Sequence, residues 1–301
     1  MENSTAASSN AYMIYTPIAV FVILCPLMVC NRMWCHWKNR GKLGLDDFVI
    51  LTSLLCALTS GGIMFMGCRY GYGQHWKDLT PFQQRESMKY FYLCQITYKL
   101  SINLTKASIL LLLHRIFNGI RWFRWSCIFV LTCVGMFCVA MVMATVFQCI
   151  PVAKAIDHSI PGHCINNAHF WYANSGFNIS TDIVILVLPM VPVYGLSMPR
   201  MQKAGLAVVF ALGIFVVITS CLRVTTIDIQ AKTNDKTYDV ASTTWTLVEM
   251  NVAIICACLP QIRPLMALLV PKIVTLYHKT CGRSDEGTTR ASSATTHSTD
   301  K

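Results

Sequence analysis

The sequence predicts an all-α, polytopic membrane protein with seven transmembrane helices, and three observations carry that reading. The 301 residues are 54% hydrophobic and only 13% charged, far from the composition of a soluble domain of this size. The apolar residues gather into seven runs, each near the roughly 20 residues that cross a bilayer. The basic residues fall in alternate connecting loops and the tail, so the net charge of +11 is explained by orientation in a membrane and no nucleic-acid partner is expected.

Residues 1–10, MENSTAASSN, lack the basic lead-in of a cleaved signal, so the first span, Ala11 to Cys30, is expected to be retained. A basic loop with Arg32, Lys38, Arg40 and Lys42 follows. Asp46 and Asp47 then stand at the entrance to span two, Phe48 to Gly67, where a helix amino terminus favours carboxylates. They read either as helix caps or as contacts for a cytosolic signalling partner. Span three is Tyr90 to Leu113, span four Ser126 to Cys149, span five His169 to Met190, span six Ala204 to Leu222 and span seven Thr244 to Leu269. Residues 11–270 thus form one membrane domain, and residues 271–301 a Ser/Thr-rich tail expected to be disordered.

Seven spans put the termini on opposite sides. The loops after spans one, three and five, with the tail, hold 14 Lys and Arg residues, against 6 in the other loops. The positive-inside rule therefore places the N-terminus outside and the C-terminus in the cytosol. Asn3, in the sequon NST, is then a candidate glycosylation site, whereas the sequons at Asn103 and Asn178 fall within spans.

Span three is the stretch around which the chain is organised. Gln95, Lys99, Asn103 and Lys106 recur at helical spacing and form one polar stripe on an apolar rod. A lone ammonium in mid-bilayer costs from about 3 to more than 10 kcal/mol, so the stripe must face protein or a wet cavity and its lysines need carboxylates. Few are available. Asp182 lies just past the middle of span five, on one face with Asn174, Asn178 and Thr181, at the depth of Lys106. Glu249, early in span seven, matches Lys99. The expected pairs are therefore Asp182 with Lys106 and Glu249 with Lys99.

Each pair reads in two ways. As structural glue, the carboxylates stay ionised; as a functional centre, an unpaired acid would hold a proton and deliver it to a substrate. Tyr92, Tyr98, Trp171, Tyr172 and Trp245 lie near the outer end, either as an interfacial aromatic belt or as the lining of a shallow outer cavity among spans three, five and seven. Cys149 and Cys164 flank the outer loop after span four, on the oxidising side, and are expected to form a disulfide; Cys68 and Cys94 are a weaker second pair. His75, His158 and His163 show no diagnostic ligand spacing, and neither a metal nor a cofactor is expected.

The motifs TDIVILVLP, VVFALGIFVVITSCLRV and TTWTLVEMNVAIICACLPQIRPL in spans five to seven resemble the fungal rhodopsin-domain integral membrane proteins, a family that includes the satratoxin-cluster membrane protein and receptor-like proteins of filamentous fungi. LDD before span two, GYGQHW after it, KASILLLLHRIF in span three and FQCIPVAKAID with PGHC after span four extend the resemblance over residues 10 to 270. One departure is Ile156, where the family pattern suggests Trp. The family name carries no retinal chemistry here: a Schiff base needs a lysine in the last span, which has only Arg263.

Two functions follow. The resemblance implies a plasma-membrane or endomembrane protein that binds a small lipophilic molecule, as a sensor in or accessory to secondary-metabolite biosynthesis. Its ligand would meet Lys99, Lys106, Asn103, Gln95, Asn178, Trp171, Tyr172, Trp245 and Tyr98. The alternative is a membrane-embedded cyclase or isomerase of a terpenoid or polyketide intermediate, with Asp182 or Glu249 as the acid and the outer aromatics shielding positive charge.

Overall fold

The computed structural model describes residues 10–41, 43–157, 160–165, 167–194, 210–211, 213–225 and 240–260. The helices are α1 (Tyr12–Arg40), α2 (Leu45–Arg69), α3 (Pro81–Ile116), α4 (Arg121–Val146), α5 (Asn167–Val187), the short α6 (Met190–Tyr194), α7 (Gly213–Thr225) and α8 (Ala241–Pro260). Six of the described helical segments are long and apolar enough to cross a membrane, and α7, the described part of the expected sixth span, is a shorter apolar helix. Asn3, Arg263, His158 and the tail lie outside the described residues.

Local chemistry sets the helix ends. Pro81 occupies the first turn of α3, where its missing N–H costs nothing, and Thr80 caps that turn reciprocally with Gln83. α1 stops at Gly41, whose φ of 65° closes the last turn in a conformation that disfavours a side chain. Two boundaries differ most from those expected. α1 runs ten residues beyond Cys30, where one face of the helix packs on protein and buries Arg32, Cys35 and His36; α3 begins nine residues before Tyr90 because the Thr80–Gln83 cap starts it there.

The main core lies where α1, α2, α3 and α8 meet, through Ile14, Ile50, Met64, Tyr98, Ile102, Leu247, Met250 and Ile254. Small residues let α2 and α3 approach closely. Ser53 Oγ donates to Ser101 O at 2.8 Å and Ser101 Oγ returns a bond to Ser53 O at 3.0 Å. At Gly67 an added Cβ would stand 3.2 Å from Tyr90 Cβ, so a larger residue would push the two helices apart. Outward surfaces are apolar, with Phe129, Met136, Val139 and Met143 exposed on α4 and Ile23 and Leu27 on α1, as a lipid-facing bundle requires.

A two-stranded ribbon, β1 (Cys149–Ile150) with β2 (His163–Cys164), links α4 to α5. Cys149 and Cys164 form a disulfide within it. Cys68 and Cys94 are both free, and Cys94 instead shares a hydrogen bond with Ser60 at 3.1 Å. Cys68 and Cys94 therefore do not form the second disulfide: Cys68 packs in the apolar core and the Cys94 thiol is engaged by Ser60.

Candidate functional site

Between the disulfide end and the opposite end of the bundle, α3, α5, α7 and α8 bury a connected layer of charge. Lys106 Nζ lies 3.0 Å from Asp182 Oδ1 and donates to Asn178 Oδ1 at 2.6 Å, Asn178 O at 2.8 Å and Thr181 Oγ1 at 2.7 Å. Four acceptors around one ammonium replace the water it gives up. Asn178 then donates through Nδ2 to Glu249 Oε1 at 2.7 Å.

Glu249 is completely buried, and its partner is not Lys99. Arg223 Nε of α7 lies 3.1 Å from Glu249 Oε2, Tyr98 Oη donates to the same oxygen at 3.0 Å, and Ser220 Oγ donates to Oε1. Arg223 Nη1 in turn donates to Tyr98 Oη at 2.6 Å, closing a triangle of guanidinium, phenol and carboxylate. The expected Glu249–Lys99 pair fails because consecutive helical residues point about 100° apart. Tyr98 takes the direction toward α8, and Lys99 turns toward α4 and α5.

Lys99 is 1% exposed. Its ammonium donates to Thr145 Oγ1 and stands 4.5 Å from the ring centre of Phe170 and 5.2 Å from that of Trp171. No carboxylate lies within ion-pair distance of it among the described residues. Asn103 is also buried, with its amide spent on Lys99 O at 2.7 Å in its own helix. Gln95 is buried, and its Oε1 has no hydrogen-bond partner among the described residues.

Two cavities flank the charged layer. Toward the disulfide end, a cavity of about 60 Å³ is lined by residues that include Gln95, Tyr98, Trp171 and Thr246. On the other side, α3, α5, α7 and α8 line an open-sided cavity of about 140 Å³, walled by Ile109, Leu186, Met190, Phe210 and Val216 and reaching Lys106 and Asp182. Asp182 Oδ2 has no hydrogen-bond partner among the described residues. Trp245 and Tyr172 are partly buried and line neither cavity, while Tyr98 and Tyr92 are buried in the bundle rather than set in a belt at its edge.

A second buried cluster sits at the end of the bundle opposite the disulfide. Arg32 is wholly buried and donates to Asp46 Oδ2 at 2.9 Å, Asp47 Oδ1 at 3.3 Å and Ala257 O at 2.6 Å. Arg115 holds the other Asp46 oxygen at 3.0 Å, and His36 Nδ1 lies 2.6 Å from Asp47 Oδ2. Asp47 also accepts from Gly44 N at 3.0 Å, so it caps α2 while pairing with α1. His36, Asp46 and Asp47 offer atoms within 4.8 Å of one another, but the Arg32 guanidinium fills the position a cation would take. The sequence placed Arg32 in a loop, and only the length of α1 reveals it as the tie joining α1, α2 and α8.

A bundle of apolar helices that buries its ionic groups inside and turns hydrocarbon outward is a multi-pass integral membrane protein. The chain belongs to the fungal rhodopsin domain family, whose pattern matches residues 31–268. It is 31% identical over 206 residues to a SAT4 family membrane protein of Emericella nidulans, covering 64% of this chain and 50% of that protein. Receptor GIN3 of Arthrobotrys oligospora is 25% identical across 94% of this chain and 69% of its own length. The polyenoic acids biosynthesis gene cluster protein Ba17b of Metarhizium anisopliae is 27% identical across 88% of this chain and 76% of its own length. This chain thus spans only half the length of the Emericella relative. No solved structure matches it.

Proposed function

We propose that the protein binds a small lipophilic molecule inside its helix bundle, as a sensor in or accessory to secondary-metabolite biosynthesis. The observation that carries the reading is the cavity of about 140 Å³ beside the Lys106–Asp182 pair. An apolar cavity of about 150 Å³ holds benzene, so this one has room for a ring or a branched unit, and its open side leaves space for the rest of a larger ligand. Its walls supply dispersion contacts, and Asp182 Oδ2 supplies one acceptor for a ligand hydroxyl. One relative is named as a receptor and another as a product of a biosynthetic gene cluster, which agrees with either role.

The state of the two carboxylates favours binding over catalysis. Asp182 faces Lys106 and Glu249 faces Arg223, so each is placed to balance a cation rather than to release a proton. In the rival cyclase or isomerase, one of them would protonate a substrate. Metabolite profiles of the producing fungus separate the two. Strains with the intact gene, a deletion, and Asp182→Asn with Glu249→Gln at normal expression are compared by mass spectrometry. Binding predicts changed amounts without a new intermediate. Accumulation of one uncyclised or isomeric precursor in both altered strains, with its conversion by microsomes bearing the native protein, would establish the enzyme instead.

The same proposal sets the N-terminus outside and the tail in the cytosol, where a signalling partner would meet it. Loss of Asn3 glycosylation in Asn3→Gln, seen as a mobility shift matching glycosidase treatment, tests that orientation. A native protein unaffected by the glycosidase counts against it.

A further inference from the structure

The outer surface of the bundle carries one pattern twice. On α4, Arg121, Trp125, Phe129 and Met136 fall on one helical face, and all four are exposed. On α1, Lys38, Trp34, Leu27 and Ile23 do the same. α1 ends and α4 begins at the end of the bundle opposite the disulfide, so both stripes run in one order from that end inward: cation, indole, hydrocarbon. A phospholipid laid along a helix has the matching order, with its phosphate at the cation, its ester groups at the indole N–H and its tails on the apolar residues.

The stripe on α4 is the more strongly built. Phe123 is wholly buried with its ring 4.9 Å from that of Phe117, which pins the corner between α3 and α4 and leaves Arg121, Trp122 and Trp125 turned outward. Trp125 is 66% exposed, a state that a membrane interface favours for an indole. Arg121 and Arg124 stand in the first turn of α4, which holds no acidic residue and no side-chain cap. The helix dipole already makes that turn positive, so cations are disfavoured there. No carboxylate lies within ion-pair distance of Lys38, Arg121 or Arg124 among the described residues. Charge placed against the dipole in this way calls for an anion from outside the chain.

We infer that the end of the bundle opposite the disulfide is a docking surface for anionic phospholipids of the surrounding leaflet, with its strongest site on α4. Arg121 and Arg124 hold the headgroup phosphate, Trp122 and Trp125 sit at the level of the ester groups, and Phe129 and Met136 carry a tail. The stripe continues without a break into the lipid-facing surface of α4, so the anion is one that brings hydrocarbon with it. Phosphatidylcholine also has a phosphate, but its own ammonium then stands beside two guanidiniums. A lipid of net negative charge escapes that repulsion. This surface is separate from both cavities and stands whether or not either holds a ligand.

The test gives full-length protein in mild detergent an equimolar mixture of phosphatidylserine and phosphatidylcholine and reads the retained lipid by native mass spectrometry. Native protein is expected to retain phosphatidylserine over phosphatidylcholine by roughly tenfold. Arg121→Gln with Arg124→Gln is expected to abolish most of that preference. Arg69→Gln with Lys77→Gln removes two exposed cations at the disulfide end and is expected to leave it intact. Thermal unfolding of the α4 variant in phosphatidylcholine alone checks folding, and its midpoint is expected at or above the native one because cations have left a positive helix end. Glycerophosphoserine in excess, the same headgroup without tails, is expected to displace none of the lipid. Equal retention of the two lipids by native protein, a preference undiminished in the folded α4 variant or equally diminished in the disulfide-end variant, or displacement by glycerophosphoserine overturns the proposal. The first and last of these results are read on native protein alone and hold whatever the variants do.

Discussion

Asn178 joins the two buried ion pairs. Its Oδ1 accepts from Lys106 at 2.6 Å and its Nδ2 donates to Glu249 Oε1 at 2.7 Å, so one amide fixes the spacing between a cation of α3 and an anion of α8. The chain Asp182–Lys106–Asn178–Glu249–Arg223–Tyr98 therefore runs without a break from the larger cavity to the one at the disulfide end. A ligand that moves Lys106 also disturbs Glu249.

Replacing that amide tests the join. Asn178→Leu keeps the branching of the side chain and removes both side-chain hydrogen bonds, leaving two charged groups short of a partner at roughly 1–3 kcal/mol each. The thermal unfolding midpoint of the purified protein is expected to fall markedly. An unchanged midpoint would mean that the two pairs are independent.

The Arg223–Glu249 pair makes a sharper prediction, because both side chains are wholly buried. Arg223→Met strands the Glu249 carboxylate and should cost about 3–5 kcal/mol. Adding Glu249→Leu removes the stranded charge and should recover most of that loss. A double variant no more stable than Arg223→Met would show that the charge pair is not what holds α7 to α8.

How much of this was legible in the sequence follows from what each contact depends on. The Lys106–Asp182 pair could be read because two charges at equal depth in a span have few alternatives. The Glu249 partner could not: Lys99 and Arg223 were both available, and the choice turns on a helical rotation of one residue, which places Tyr98 rather than Lys99 against α8. Arg32 was hidden because hydropathy marks where lipid ends, not where a helix ends, and α1 continues past Cys30 with Arg32 and His36 buried against protein. The larger cavity had no signature, since its walls are ordinary aliphatic residues from four helices.

At the opposite end of the bundle, Arg32 is expected to matter as much as the central pairs. Arg32→Met leaves Asp46 with Arg115 alone and Asp47 with His36 and the α2 cap, and it frees Ala257 O from α1. A loss of about 3–5 kcal/mol is expected in thermal or denaturant unfolding. Arg32→Lys should rescue it only in part, because one ammonium cannot reach three acceptors in the planar geometry of a guanidinium. Full rescue by lysine would refute the geometric role.

The disulfide should act locally. Cys149 and Cys164 are 15 residues apart, and closing a segment of that length is worth about 3 kcal/mol in the chain-entropy model. Cys149→Ser with Cys164→Ser is expected to lower the unfolding midpoint and to increase proteolysis between residues 150 and 163. Identical midpoints with and without reductant would show that the ribbon is held by its other contacts.

The most direct test of ligand binding is native mass spectrometry of the full-length protein purified from its own fungus in mild detergent, beside Val216→Trp. A lipophilic small molecule is expected to stay on the native protein and to be absent from the variant, in which the indole fills the cavity between α5 and α7. A native protein that carries no small molecule, or a variant that carries the same one undiminished, would contradict the claim that this cavity binds it.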